Sequence, residues 1–292
     1  MLGILLVRKE VGCTSHDVVN DVRRRFRTRR VGHAGPLDPE ASGLLVVAVG
    51  PATRFLQYLP LEPKEYRSRF RFGIETSTYD IEGAVVAKNP LPLDLRQSVE
   101  AALPQFRGPI QQLPPMHSAV KVKGQPLYKY ARHGEEVARE PRAVNIELFE
   151  VVDQGQDWLE MRIVCSGGTY IRSLAHDLGQ VLGCGAHLAG LVRTRVGRFS
   201  LDDALPLAET GPKNLRPLSS ALLPMPMVPL SDDQTHEIRE GRPVMPSEMP
   251  SGALAALVDP DGAVFSVARV HGNLLQPECV IPAEAMHEST PS

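Results

Sequence analysis

The chain has 292 residues and a mass of 31.9 kDa, room for about two domains at roughly 150 residues each. With 42% hydrophobic, 23% charged and 5% aromatic residues, its composition is globular and excludes disordered, collagenous and coiled-coil classes. The longest aliphatic runs, Ile4 to Val7 and Leu44 to Val49, fall far short of the ~20 apolar residues of a membrane span.

The N-terminus carries no basic leader segment, so a cytoplasmic protein is expected. Cys13, Cys165, Cys184 and Cys279 lie far apart without C-x-x-C spacing and read as free thiols. The histidines form no ligand pattern, so neither metal nor cofactor is expected and the chemistry falls to side chains.

Charge is distributed unevenly. Residues 1 to 72 carry a net +6, residues 73 to 220 a net −1 and residues 221 to 292 a net −7. Within the basic part, Arg23, Arg24, Arg25, Arg27, Arg29 and Arg30 place six guanidinium groups in eight positions. Such density repels itself unless a polyanion or acidic side chains lie near. Phosphate is the simplest partner; a solvated helix end is the alternative.

In chain order, Leu2 to Val7 reads as a buried strand. Ser15 then stands as the N-cap of a helix whose Val18, Val19, Val22 and Phe26 share one face, and the arginines end that helix, where positive charge suits its dipole. Leu44 to Val49 is a second buried strand, and Pro51 opens a short helix with Phe55, Leu56 and Leu59. From Glu65 to Phe72, charged residues alternate with Tyr66, Ser68, Phe70 and Phe72, the period of a strand with one wet face. Asp94 caps a helix with Leu95, Val99, Ala102 and Leu103.

Ser118 to Val122, Val144 to Val152 and Trp158 to Cys165 are strand candidates. Thr169 caps a helix carrying Ile171, Leu174, Ala175, Leu178 and Leu182. The irregular mixture predicts an α+β fold with a mixed, mostly antiparallel sheet flanked by helices. Six prolines between Pro206 and Pro229 form a stiff connector without a packed helix, which places a boundary near residue 225. Residues 1–224 form one domain and residues 225–292 a small β-rich module with a helix over Ser231 to Glu240, strands at Ala253 to Val258 and Ala263 to Val267, and a frayed tail after Ala285.

The segment from Gly32 to Gly43 combines three glycines with Pro36 and Pro39, so the backbone can approach a partner closely while φ is restricted. Asp38, held extended by the following proline, presents one carboxylate beside the basic helix end. A simple Asp-Pro turn is the structural alternative, and the phosphate-cradling P-loop pattern is absent.

GHAGPLDPEASGLL resembles the catalytic motif of the TruB-type pseudouridine synthases, G-H-x-G-S/T-L-D-P-x-A-S/T-G. In the same order, KEYRSRF resembles their K-x-Y strand and TSTYDIEG their T-D-T-x-D-x-x-G turn. PPMHSAVKVKGQPLYKYARHG resembles their P-P-x-Y-S-A-x-K stretch, and CSGGTYIRSLAHDLG their C-S-x-G-T-Y-I-R corner. The five motifs span roughly residues 3 to 200, and the C-terminal module resembles a PUA-type RNA-binding domain more weakly.

The resemblance implies isomerisation of uridine to pseudouridine in the T-loop of tRNA, at uridine-55, on a pseudouridine synthase fold and without cofactor; a monomer needing no protein partner is the default expectation. It assigns Asp38 as nucleophile, Tyr66 as the residue that stacks on the target base and removes its C5 proton, and Arg172 as the partner of Asp38. Leu191 would line the pocket and His33 fill the space of the everted base. Asp80 and Tyr170 join the substrate-binding set, and Lys64, Arg24 and Arg27 would contact phosphates.

A guanidinium beside Asp38 would oppose the desolvation that favours its neutral form. The sequence departs from the family pattern at Pro36, Ser77, His117, Gly167 and Val192, and its C-terminal module is acidic. Two other readings stand beside this one: an RNA-binding or RNA-folding protein with incidental catalytic residues, and a two-carboxylate glycosidase using Asp38 with Glu40 or Asp80.

Overall fold

The computed structural model describes residues 1–118, 120–122 and 124–287. In chain order its first half contains β1 (Gly3–Lys9), α1 (Ser15–Arg25), β2 (Val31–His33), β3 (Ala41–Val49), β4 (Lys64–Phe72), β5 (Ile74–Thr76), β6 (Val85–Lys88), α2 (Leu95–Ala102) and β7 (Gly108–Gln112). The short elements β8 (Lys121–Val122), β9 (Gln125–Pro126) and α3 (Leu127–Arg132) follow, then β10 (Arg142–Gln154), β11 (Trp158–Cys165), α4 (Ile171–Val181) and β12 (Ala186–Val196).

Among the described residues one large sheet runs β7-β10-β11-β4-β12-β3-β1, ends on β14 (Leu205–Pro206), and carries β2 and β13 (Phe199–Ser200) off the main path. Its pairings are antiparallel except β12 with β3 and β1 with β14. The expected mixed, mostly antiparallel α+β architecture is the one observed.

Burial explains the two sequence periods. Ile4, Leu6, Leu44, Val46 and Ala48 enter one apolar cluster while Leu5, Val7, Leu45, Val47 and Val49 enter another with α1. β1 and β3 are therefore covered on both faces, which continuous aliphatic runs require. β4 is covered on one face only. Tyr66, Phe70 and Phe72 pack with α2 and α4, whereas Arg67, Arg69 and Arg71 are exposed.

Several expectations are corrected. Thr14, not Ser15, caps α1, in a capping box with Asp17; Ser15 is buried and exchanges hydrogen bonds with the backbone of Leu37, accepting from its N–H at 2.8 Å and donating to its carbonyl at 3.1 Å. Thr169 does not cap α4, because its hydroxyl donates to the Ser166 carbonyl at 2.9 Å and Tyr170 holds the cap position without a side-chain bond. The segment opened by Pro51 is a 3₁₀ helix, Gly50–Tyr58. The expected strand over Ser118 to Val122 is reduced to β8, and Ala119 lies outside the described residues.

The proline-rich connector is not a bare linker. It contributes β14 to the sheet edge and contains α5 (Leu218–Ala221). After it, β15 (Met227–Pro229), β16 (Leu254–Val258), β17 (Val264–His271) and β18 (Leu274–Val280) form a second sheet beside α6 (Asp232–Arg239). Ala256, Val264, Val267 and Ile281 pack into the same cluster as Phe55 and Leu59, so this sheet shares core with the first half of the chain. Of the tail expected to fray after Ala285, residues 286 and 287 close α7 (Ala283–His287), and residues 288–292 lie outside the described residues.

Candidate active site

The loop between β2 and β3 carries Asp38, and three buried side chains grip its backbone. Arg193 of β12, 1% exposed, donates to the carbonyls of Gly35 at 3.1 Å, Pro36 at 3.2 Å and Leu44 at 2.9 Å. Lys9, at the end of β1, donates to those of Ala41 at 2.6 Å, Glu10 at 2.9 Å and Pro39 at 3.3 Å. Ser15 holds Leu37 from the third side.

Burial lowers the pKa of both cations, although the nearby carboxylates Asp38 and Glu40 partly oppose the effect at Lys9. Gly43 sits at φ +109°, and a Cβ there would stand 2.4 Å from the Arg193 carbonyl oxygen. Only glycine lets β3 approach β12 this closely.

Arg172, on the first turn of α4, joins two carboxylates. One guanidinium nitrogen lies 2.9 Å from Asp38 and the other 3.0 Å from Asp80. The side chains of Arg172 and Asp80 are 8% and 11% exposed, that of Asp38 53%. Arg172 is therefore a buried residue and not a solvated one. An inner carboxylate fixes the guanidinium, and the guanidinium holds an outer carboxylate that remains open to a ligand.

Asp80 is itself immobilised. It accepts from the Thr78 hydroxyl at 2.5 Å and the Glu82 backbone N–H at 3.2 Å, and the Thr76 hydroxyl donates to its carbonyl at 2.6 Å. Named in the sequence for the substrate-binding set, Asp80 is found on Arg172.

Asp38 stands between two cavities. The smaller, about 130 Å³, is lined by Tyr66, Thr169, Tyr170, Arg172, Leu188 and Leu191 as well as residues 36 to 38. The larger, about 260 Å³, lies between the carboxylates Asp38, Glu40, Asp80 and Glu82 and residues 188 to 192. Four carboxylates make the larger one hostile to phosphate, whereas the smaller has two tyrosine rings, leucine side chains and a single ion pair, the surroundings that suit a heteroaromatic base.

Tyr66 is buried both as a core aromatic and as a wall of the smaller cavity. Burial raises the pKa of its hydroxyl, and the nearby positive charge of Arg193 opposes that rise.

The structure brings Asp38, Tyr66, Arg172, Leu191, Tyr170 and Asp80 together. It does not bring His33 there: His33 lies on β2, lines neither cavity, has a buried Nδ1 without a hydrogen-bond partner, and has a pKa lowered by burial. Lys64 stands at the foot of the loop, its Nζ 3.3 Å from where a Cβ of Gly35 would be, and burial lowers its pKa.

Arg24 and Arg27 are exposed, but Arg24 and Arg25 both pair with Asp21, so α1 neutralises part of its own arginine cluster. Sequence reasoning missed Arg193 and Lys9. The one available signal was Lys9, a charge closing an aliphatic strand.

Residues 23–171 match the N-terminal domain of the TruB family of pseudouridylate synthases, and residues 172–225 match the C-terminal domain of tRNA pseudouridylate synthase B. The chain belongs to the TruB family. Pseudouridine synthases are isomerases, and this chain is one of them.

Among similar TruB-family proteins, the tRNA pseudouridine synthase B of Stutzerimonas stutzeri is 41% identical over 92% of this chain and 91% of its own length. That of Opitutus terrae is 45% identical over 76% of this chain and 92% of its own. A chain in the crystal structure of a Cbf5-Nop10-Gar1 complex superposes with a TM-score of 0.72 at 25% identity, over 97% of this chain and 86% of that one. Within this TruB-family chain the N-terminal match reaches from the arginine cluster to the start of α4, and so includes Asp38, Tyr66 and Asp80.

Proposed function

We propose that this chain converts uridine to pseudouridine in the T-loop of tRNA, at uridine-55, with Asp38 as nucleophile. The observation that carries the reading is the Asp38–Arg172–Asp80 chain of ion pairs at the edge of a cavity walled by Tyr66 and Leu191. The tRNA specificity rests on the names of the relatives at about 40% identity.

The target uridine leaves its stack at a cost of a few kcal/mol, offset by stacking on Tyr66 and contacts in the cavity. Attack by the Asp38 carboxylate enables rupture of the bond between N1 and C1′. The released uracil turns and bonds to C1′ through C5, and the bond made by Asp38 breaks so that its carboxylate is freed. Loss of the C5 proton, for which the Tyr66 oxygen is the acceptor, and gain of a proton at N1 complete an isomerisation that is redox-neutral and consumes no co-substrate.

Arg172 orients Asp38, Leu191 confines the base, and the exposed arginines of α1 and Lys64 meet the phosphate backbone. The chain acts as a cytoplasmic monomer, with residues 225–292 as a PUA-like RNA-binding module. That module's net charge of −7 makes shape and hydrogen bonding, rather than attraction to phosphate, its means of binding.

Mapping of modified uridines in a T-arm transcript tests the reading. The wild-type protein is expected to convert one T-loop uridine without added cofactor, and Asp38→Asn to bind the RNA and convert none. Turnover by Asp38→Asn would reject the nucleophile. RNA remodelling by both proteins with turnover by neither would favour an RNA-folding role.

A further inference from the structure

Arg172 has only two polar partners among the described residues, Asp38 and Asp80, and its Nε is buried with none. Its aim therefore depends on how firmly the turn carrying Asp80 is held against α4. Below the ion pair the same two elements meet again. His176, one helical turn after Arg172, stacks its ring on Tyr79, the residue before Asp80, with centroids 3.8 Å apart and planes 14° from parallel.

One turn further, Gln180 donates to Glu75 at 2.9 Å, and Glu75 also lies 3.4 Å from His176 Nδ1. Positions 172, 176 and 180 form one stripe of the helix, and each faces the segment from Glu75 to Asp80.

Tyr79 adopts φ +66°, a left-handed conformation unusual for a bulky residue and maintained only where the surroundings over-determine it. That backbone lets Tyr79 serve two neighbours at once. Its carbonyl accepts from the Leu188 N–H at 2.9 Å, tying the turn to β12, while its ring lies on α4.

We propose that Tyr79 and His176 are positioning residues of the isomerisation: their stacked rings clamp the 76–83 turn to α4, so that Asp80 keeps Arg172 directed at Asp38. The inference rests on the reading of Asp38 and Arg172 given above. Neither ring lines the cavity that holds Tyr66 and Leu191, so the pair acts through Asp80 and not on the base.

Single-turnover conversion of a T-arm RNA and its equilibrium binding test the proposal. Wild-type conversion is measured first, and its absence would defeat the functional reading as a whole. With an active wild type, His176→Ala and Tyr79→Gly are expected to slow conversion by about tenfold to a hundredfold while RNA affinity stays within about twofold. Tyr79→Phe should keep the wild-type rate. Glycine takes up the left-handed backbone without strain, so Tyr79→Gly removes the ring without penalising the turn, and thermal unfolding of each variant verifies the fold.

The decisive measurement is a double-mutant cycle. In an Asp80→Asn background, His176→Ala should slow conversion by less than about twofold, because the contact it supports is already gone. Wild-type rates for His176→Ala and Tyr79→Gly, or a full loss repeated in the Asp80→Asn background, would overturn the proposal and leave the assignment of Asp38 standing.

Discussion

Arg193 and Tyr66 are register partners on adjacent strands, and the Arg193 guanidinium that holds three carbonyls around the Asp38 loop also opposes the rise of the Tyr66 pKa. The aromatic wall of the cavity and the loop carrying the nucleophile are thus referred to one buried cation. Replacement of Arg193 by Lys keeps the charge and loses the fork that spans three carbonyls. Arg193→Lys is expected to fold with a lowered Tm and to convert T-arm RNA at least about tenfold more slowly, as measured by calorimetry and single-turnover kinetics.

Tyr66→Phe keeps the ring and removes the oxygen. RNA affinity should change little, while conversion falls by about 10² to 10⁴, the range of a lost general base. Burial raises the Tyr66 pKa above its ordinary value, and a base is active when deprotonated. The wild-type single-turnover rate should therefore still be rising with pH at the ordinary tyrosine pKa of about 10. A pH-independent rate from pH 6 to 9, in an enzyme whose chemical step is being observed, would remove Tyr66 from the proton transfer.

Arg172→Ala leaves Asp80 buried without its counter-ion, a change that costs about 3–5 kcal/mol for a fully buried pair and less here because Asp38 is half exposed. Urea denaturation should show the loss. Adding Asp80→Asn removes the stranded charge and should restore part of the stability, but not the conversion of RNA. Recovery of activity in the double variant would separate Arg172 from Asp38.

Gly43→Ala forces a Cβ to within 2.4 Å of the Arg193 carbonyl at φ +109°. Left-handed strain alone costs about 1–3 kcal/mol, and the backbone contact adds to it. A clear drop in Tm is expected, together with slower conversion because β3 carries the loop. An unchanged Tm would mean that β3 and β12 separate at little cost.

The Asp177 carboxyl, half-buried on α4, has its pKa raised to about 6 by desolvation. The folded state therefore binds this proton more tightly than the unfolded chain, whose carboxyl titrates near 4, and this contribution to stability is lost as pH rises from about 4 to 6. Asp177→Asn should raise Tm at pH 7 and leave it unchanged at pH 4. The opposite pattern would show that the carboxylate has a favourable partner.

On the nucleic-acid side, Arg24 is engaged by Asp21, whereas Arg27 has no ion-pair partner among the described residues. Arg27→Ala should therefore lower the salt slope of tRNA binding by nearly one phosphate contact and Arg24→Ala by less. Equal effects would mean that RNA displaces Asp21.

What could be read from the residues alone was whatever depends on local order. The aliphatic runs of β1 and β3 announced strands covered on both faces, the alternation in β4 announced one wet face, and Gly-His-Ala-Gly-Pro-Leu-Asp-Pro with four further motifs announced the family and the Asp38, Tyr66 and Arg172 set. Helix ends were less legible, because Thr14 and Ser15 are equally suitable caps in isolation and only the distant Leu37 draws Ser15 inward.

Tertiary structure alone decided that Asp80 and not solvent meets Arg172, that Lys9 and Arg193 turn inward to hold carbonyls of one loop, and that His33 lies away from the cavity. Those relations join residues separated by up to 158 positions. A buried cation is tolerated only where folding supplies enough oxygen atoms around it, and no spacing along a chain records which distant carbonyls those will be.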